Sequence, residues 1–489
     1  MGNKGDHFPD SHGSERDPLC VQPLVAPMLL QWHITAKCGN RCRHCYQYGE
    51  LTYKEERHHP LSWDEMMRVL ESVEEFERQY GARFSFGLIG GDPLLHERWE
   101  DLLRVLRPAE RIVQIAGNPE TLTEEAATRM AELGVRSFQL SLDGLEEMHD
   151  NFRSKGSFQR TIAKLDLLAQ KGIDSAIMFT LFRSNAEDLI PLMRYLADHT
   201  NASTFAFDLG SHMGNAAQIS ERLTAAEFHG ILSAFLDEKK RLEKQGSRLI
   251  IHEKPNLCRV ARFEKGSYYP LAPAHVPALT GCPVGWTSIS ILSDGTVLAC
   301  SRMGLKVGKM PEHSFEEIFL GSELLRKFRR PESFEGCGTC DFFRVCRGCP
   351  AHVWSVTGDP FAQNPICFRS DIARRTDEAE RTPGPPLDIT YAEEWKYITR
   401  RNSWGKQALD YLEEADFRRI YLSLASDATQ RELFFRDPYA YTPENGSQLD
   451  QERNACLIHL LSSSMQGGIN PFTDKVAKLA YSKFLADLI

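Results

Sequence analysis

The sequence predicts an α/β fold: a partial (β/α)6 TIM-like barrel, then a small Cys-rich domain and a helical C-terminal module. Three observations support this. From about residue 29, strand-like and helix-like segments alternate at intervals of roughly 30–50 residues, the pattern of repeated βαβ units feeding a parallel sheet. The candidate strands number six, two short of a closed eight-unit barrel, so one side should stay open. Seven cysteines between Cys282 and Cys367 then give way, past a Pro/Gly run, to about 100 residues of helical pattern.

The six strand candidates are, in order, LLQWHITAK, RFSFGLI, RIVQIAG, VRSFQLSLDG, DSAIMFTLF and TFAFDLG. Helical patterns lie between and after them. The clearest begins at Ser62, whose hydroxyl can cap while Glu65, three residues on, completes a capping box. Met66, Val69, Val73, Phe76 and Tyr80 then form one apolar stripe, and Gly81 is placed to close the helix. Residues 246 to 281 are Pro-punctuated and weakly periodic, and ISILSDGTVLAC reads as a hairpin about an Asp-Gly turn. TPGPPL, from Thr382 to Leu387, is a plausible linker. The expected divisions are an N-terminal extension (1–28), the barrel (29–245), the Cys-rich domain (246–381) and the helical module (382–489).

Composition narrows the function classes. The chain has 489 residues, 42% apolar and 26% charged, which excludes a fibrous or wholly disordered protein. Lys and Arg total 58 against 67 acidic residues, a formal charge of −9, so nucleic acid is not expected as a main partner. Apolar stretches such as VQPLVAPMLLQW and PLAPAHVPAL are broken by Pro and too short to cross a bilayer, so no membrane is expected either. The polar opening, MGNKGDHFPDSHGSERD, lacks the apolar core of a secretory signal, and Asp6 interrupts a myristoylation pattern. A cytoplasmic setting follows as the expectation. There the 13 cysteines stay reduced, and clustered ones read as metal ligands or catalytic thiols.

Cys38-x3-Cys42-x2-Cys45 follows the first strand, at the carboxyl end where barrel loops carry chemistry. Three thiolates on one short loop can hold three irons of a [4Fe–4S] cubane and leave the fourth open to an exogenous ligand. The competing reading of the spacing is a zinc knuckle with His44 as a further ligand.

WHITAKCGNRCRHCYQ resembles the signature loop of the radical S-adenosylmethionine (SAM) superfamily, CxxxCxxC followed by an aromatic residue, here Tyr46. The resemblance runs through residues 29–245. Gly90-Gly91-Asp92-Pro93 matches a GGEP-like motif that contacts the methionine amino group, with Asp in place of the usual Glu and so one methylene shorter. SLDG and HDNFR match a further segment, by which Ser141 would bond the ribose and Arg153 would pair with the methionine carboxylate. Asn118, in AGNP, would face the cofactor by the same likeness. The activity so implied is reductive cleavage of SAM to a 5′-deoxyadenosyl radical, which abstracts hydrogen from an unactivated carbon. It implies a small electron donor such as flavodoxin or ferredoxin.

The second array reads Cys282, Gly295-x4-Cys300, Cys337-x2-Cys340-x5-Cys346-x2-Cys349 and Cys367. It resembles the SPASM domain, the auxiliary iron–sulfur module of peptide-modifying radical SAM enzymes, departing from it where two residues rather than three separate Cys346 from Cys349. By that resemblance Cys337, Cys340, Cys346 and Cys367 complete one [4Fe–4S] cluster. Cys282, Cys300 and Cys349 give three ligands to another, with Cys258 the nearby candidate for its fourth. The total is three [4Fe–4S] clusters, one binding SAM and two auxiliary. A zinc ribbon explains Cys337/Cys340 and Cys346/Cys349 but leaves Cys282, Cys300 and Cys367 without a role.

The implied substrate is a peptide or protein side chain, which would make the chain a ribosomal-peptide maturase. The alternative is a small-molecule oxidase or decarboxylase of the haem-biosynthesis type. No single residue stands out as a general base. The space before residue 29 is too short for a winged-helix peptide-recognition domain, so leader recognition would fall to a separate leader-peptide-binding protein or to the C-terminal module. That module is read as a helical lid or dimerisation surface, with a fainter likeness to Nif11-type leader sequences around DFRRIYLSLASDATQRELFFRDPYAY.

Overall fold

Six parallel strands occur where the sequence pattern places them: β1 (Met28–Thr35), β2 (Phe84–Gly90), β3 (Val113–Ala116), β4 (Ser137–Ser141), β5 (Asp174–Leu181) and β6 (Thr204–Leu209). Each pairs with the next in chain order. This computed structural model describes residues 28–48, 59–80, 84–107, 111–265, 281–340, 342–343, 346–371 and Ile420. The N-terminal extension up to residue 27, the TPGPPL linker and the helical module, with Cys20 and Cys456, lie outside the described residues, Ile420 apart.

The sheet continues past the expected limits at both edges. A three-residue strand, β7 (Ile250–His252), pairs in parallel with β6. Three residues are too few to register as a period in sequence. At the other edge β8 (Ser288–Ile291) pairs in parallel with β1 and leads into the expected hairpin with β9 (Thr296–Cys300), which pairs in turn with β10 (Met303–Lys309). The result is one ten-stranded sheet in the order β10-β9-β8-β1-β2-β3-β4-β5-β6-β7. The hairpin of the Cys-rich segment is therefore hydrogen-bonded, through β8, to the first strand of the barrel.

The layer over the sheet contains α1 (Trp63–Tyr80), α2 (Trp99–Leu106), α3 (Glu124–Glu132), α4 (Glu146–Phe152), α5 (Ser157–Gln170), α6 (Leu189–His199) and α7 (Ala225–Lys244). The capping box before α1 forms as expected: Ser62 N donates to Glu65 Oε2 (2.8 Å) and Glu65 N to Ser62 Oγ (3.3 Å). On the sheet, Leu30, Trp32, Phe86, Leu88, Phe138 and Leu140 are buried. The opposite face carries Gln31, Gly87, Ala116, Gln139, Ser141 and Thr180, which line a cavity. A closed barrel fills its centre with branched side chains; small and polar residues at these inward positions leave this one hollow.

The Cys-rich segment adds α8 (Cys258–Glu264), α9 (Phe315–Gly321), α10 (Glu323–Arg329) and α11 (Pro350–Thr357). It packs on the barrel through aromatic rings. Phe76 of α1 meets Phe315 and Phe319 of α9 at centroid distances of 5.0 and 5.7 Å, and Phe84 of β2 at 6.2 Å. Among the described residues no helix is long and apolar enough to cross a membrane. Because Phe76 is 1% exposed and joins both parts of the molecule, Phe76→Ala should cost about 3–5 kcal/mol in urea unfolding. A loss below about 1 kcal/mol would show that this aromatic contact does not hold the two parts together.

Candidate functional site

The cysteine loop, AKCGNRCRHCYQY, follows β1 and holds a single aliphatic residue, so apart from the packing of His44 and Tyr46 apolar burial does little to fix its shape. Backbone contacts do so instead. Gly91 N donates to Thr35 O and Asp92 N to Lys37 O, both at 2.8 Å. A Cβ on Gly90 would fall 2.2 Å from Thr35 O, and one on Gly91 equally close to Lys37 O. Gly90 also has a φ of 139°, which disfavours any other residue. The glycines thus seat the end of β2 directly against the root of the loop. From the other side Asn215 donates from N to Cys45 O (3.0 Å) and from Nδ2 to Cys42 O (3.1 Å). Gly214, at φ 56°, allows this approach, since its Cβ would meet Tyr46 O at 2.5 Å.

Beneath the loop lies Asp143, fully buried at the end of β4. Its Oδ2 accepts from Arg153 Nε at 2.6 Å and lies 3.3 Å from His44 Nε2, while Oδ1 accepts from Thr180 N at 3.0 Å. Burial by itself would raise this carboxyl, but Arg153 and then His44 outweigh it and hold it well below the usual carboxylate range. Arg153 also points Nη1 at Cys42 Sγ, 3.8 Å away. His44, the candidate extra zinc ligand, is thereby engaged with Asp143 and packs edge-on to Phe152 and Phe182.

A cavity of about 630 Å³ opens over this floor. Cys38, Cys42, Cys45, Tyr46, Gly90, Gly91, Asn118, Ser141 and Arg153 line it. Asn118 Nδ2 reaches both Cys38 Sγ (3.5 Å) and Asp92 Oδ2 (3.1 Å). Asp92 departs from the expected role. Its short side chain folds back to accept from Leu94 N (3.3 Å), Asn118 and the Thr121 hydroxyl (2.6 Å), and is 1% exposed. It positions Asn118 from behind rather than lining the cavity. Arg153 likewise gives its Nε to Asp143, a partner the sequence reading did not assign. Tyr46 packs on Leu292 and Leu298, and burial pushes its hydroxyl up to about 12.

Cys282, Cys300 and Cys349 line the same cavity. Cys337, Cys340, Cys346 and Cys367 converge on a separate small cavity, also lined by Leu257, Phe342 and Phe343. Cys258 joins neither set: at the start of α8 it is completely buried in the apolar core, and burial pushes its thiol well above the ordinary value. Among the described residues no three His, Cys, Asp or Glu side chains are drawn close enough to hold a single ion. Thiols at the corners of a cubane stand farther apart than the ligands of one ion, and the two sets of three thiols border a cavity with room for such groups, whereas the cavity among Cys337, Cys340, Cys346 and Cys367 holds only about 20 Å³.

Sequence reasoning missed Asp208, Lys254 and Arg302, which line the cavity that both thiol sets border. Asp208 sits near the carboxyl end of β6, where barrel chemistry concentrates, and that position was the available signal. Burial would raise its carboxyl, but Arg302 at 3.1 Å and Lys254 at 3.5 Å hold it below its ordinary value.

Residues 32–196 match the radical SAM superfamily model, and residues 282–350 match SPASM, an iron–sulfur cluster-binding domain. This is a radical SAM enzyme with a SPASM domain. The two domains imply SAM and iron–sulfur clusters as its cofactors. The chain is 28% identical over 354 residues to the AdoMet-dependent heme synthase of Methanosarcina barkeri, spanning 70% of this chain and 97% of that protein. It is 25% identical over 377 residues to the mycofactocin maturase MftC of Mycolicibacterium smegmatis, spanning 75% and 88%. The structure of Streptococcus suis SuiB bound to precursor peptide SuiA superposes with a TM-score of 0.56 at 16% identity, covering 70% of this chain and 76% of that one. This radical SAM/SPASM enzyme shares that fold.

Two substitutions test the floor of the site. Asp143→Asn leaves Arg153 buried without its counter-charge and should cost about 3–5 kcal/mol in urea unfolding; a loss below about 1 kcal/mol would remove Asp143 from the centre of the loop's support. Replacing Cys38, Cys42 and Cys45 together with Ala should abolish 5′-deoxyadenosine formation from SAM, measured by chromatography, and retained cleavage would place the reactive cluster elsewhere.

Proposed function

We propose that this enzyme abstracts hydrogen from a peptide or protein side chain to install a post-translational modification. The observation that carries the reading is the cavity that runs from Cys38, Cys42 and Cys45 to Cys282, Cys300 and Cys349. A side chain entering the open barrel can be held between two redox sites while the rest of its chain stays outside. The likeness to mycofactocin maturase, and the fold shared with SuiB in its peptide complex, support this reading.

In this reading Cys38, Cys42 and Cys45 hold the SAM-binding cluster, with Gly90, Gly91, Asn118, Ser141 and Arg153 bordering the cofactor. Cys337, Cys340, Cys346 and Cys367 hold one auxiliary cluster, and Cys282, Cys300 and Cys349 the other. With Cys258 packed in the core, the fourth corner of the latter is left to solvent or a substrate group. When bound, the SAM-binding cluster and SAM supply a carbon-centred radical able to remove hydrogen from an unactivated carbon. The chain's own part is to fix the loop through Gly90, Gly91, Asn215 and Asp143, and to border the reacting carbon with Ser141, Thr180 and Asp208. A flavodoxin- or ferredoxin-like protein supplies the electron, and a separate leader-binding protein or the C-terminal module presents the peptide.

The heme synthase relative, matched over 97% of its length, favours a second reading in which the substrate is an iron tetrapyrrole. One measurement tests the auxiliary clusters and a second separates the readings. Anaerobic reconstitution should yield about 12 irons per chain from three cubanes, and a value near 4 would remove both auxiliary clusters. Mass spectrometry of short peptides co-expressed with the enzyme should show a mass change that depends on Cys38, Cys42 and Cys45. Unmodified peptides together with turnover of an added iron tetrapyrrole would establish the second reading instead.

A further inference from the structure

Arg302 follows β9 in the turn to β10, and its side chain, 25% exposed, reaches across the cavity to β6 and to Cys349. Three acceptors from two parts of the chain, neighbouring residues of β6 and Cys349, meet it. Nη1 donates to Leu209 O at 2.8 Å, while Nη2 lies 3.1 Å from Asp208 Oδ2 and donates to Cys349 Sγ at 3.4 Å. The backbone of Arg302 is held as well, its carbonyl accepting from Ser211 Oγ at 3.1 Å. Asp208 and Leu209 O already give the guanidinium a counter-charge and a hydrogen bond, so its placement in the fold does not require the thiol. The contact with Cys349 is an addition, and the rigid planar fork makes it reproducible in a way that a lysine point charge would not.

A positive charge and a hydrogen bond at a cluster sulfur favour the reduced state, which carries one more electron. Asp208 works against this, because its carboxylate stands beside the same guanidinium and faces the same cavity. Lys254, 3.5 Å from Asp208 Oδ2, moderates that opposition. We propose that Arg302 is a positioning residue that raises the reduction potential of the cluster held by Cys282, Cys300 and Cys349, and that Asp208, through Arg302, sets how far it is raised. This inference rests on the auxiliary-cluster assignment under Proposed function. It assigns a role to a charged pair beside Cys349 that neither cofactor needs for simple ligation. A substrate group that bonds Asp208 would change the potential of the neighbouring cluster at the moment an electron has to leave the substrate.

The test is an anaerobic redox titration followed by electron paramagnetic resonance, without SAM or substrate, on the full-length reconstituted enzyme and its Arg302→Gln, Arg302→Lys and Asp208→Asn variants. The relevant signal is the one lost in a Cys282→Ala, Cys300→Ala, Cys349→Ala variant. Arg302→Gln should make reduction of that cluster at least tenfold less favourable, a shift of about 59 mV to more negative potential. Arg302→Lys should lie between it and the wild type, and Asp208→Asn should move the potential in the positive direction. The signal that depends on Cys38, Cys42 and Cys45 should stay unmoved throughout. Unchanged auxiliary potentials with the irons retained would overturn the role of Arg302. Should Arg302→Gln lose iron, Asp208→Asn decides, since it keeps the guanidinium at the thiol, and an unmoved potential there overturns the proposal. A triple cysteine variant that keeps the wild-type iron count would sink the auxiliary-cluster assignment itself, and the inference with it.

Discussion

A loop with almost nothing apolar to bury has to be shaped by its neighbours, and here those neighbours are backbone and one buried charge. Gly90, Gly91 and Gly214 let two other segments come within hydrogen-bonding distance of the cysteine loop, where a Cβ would collide. Asp143 and Arg153 form the floor, and the arginine extends that support to Cys42. The position of three thiols thus depends on contacts from the ends of β1, β2 and β4 and from the segment after β6. Such a loop is rigid only once the whole barrel is assembled.

The continuity of the sheet has a comparable consequence. Pairing of β8 with β1 places the hairpin, and Cys300 at its end, beside the barrel mouth rather than on a detached module. Cys282 and Cys349 arrive at the same cavity by separate routes, Cys282 N donating to Cys346 O at 3.3 Å and Arg302 reaching Cys349 Sγ. Small inward residues such as Gly87, Ala116 and Ser141 keep the space between the two thiol sets open. A bulkier inner face would give the same topology with no room for a substrate.

Much of this was legible in the chain. Alternation of period 2 and period 3.6 located six strands and α1 with its capping box, and cysteine spacing separated the first loop from the later array. The failures have a common cause. Asp92 reads as a cofactor contact because the motif around it does, but its side chain is one methylene short and caps its own turn. Asp143 gets no role within the matched SLDG segment, since nothing local reveals the buried arginine ten residues on. Cys258 reads as a ligand because it is the nearest remaining thiol in sequence, whereas in helix α8 it lines neither cavity.

Sequence alone determined which residue types this protein brings to its chemistry: three thiols after the first strand, seven more from Cys282 to Cys367, and glycines where strands must end sharply. These follow from local spacing and from the preference of a backbone conformation for one residue, and need no knowledge of the rest of the chain. Tertiary structure decided how the thiols divide around two cavities, which of the acidic residues face open space, and that Asp208 and Arg302 pair beside Cys349. Those outcomes depend on contacts between residues about 40 to 270 positions apart, whose pairing is set by sheet order and packing and leaves no periodic trace along the chain.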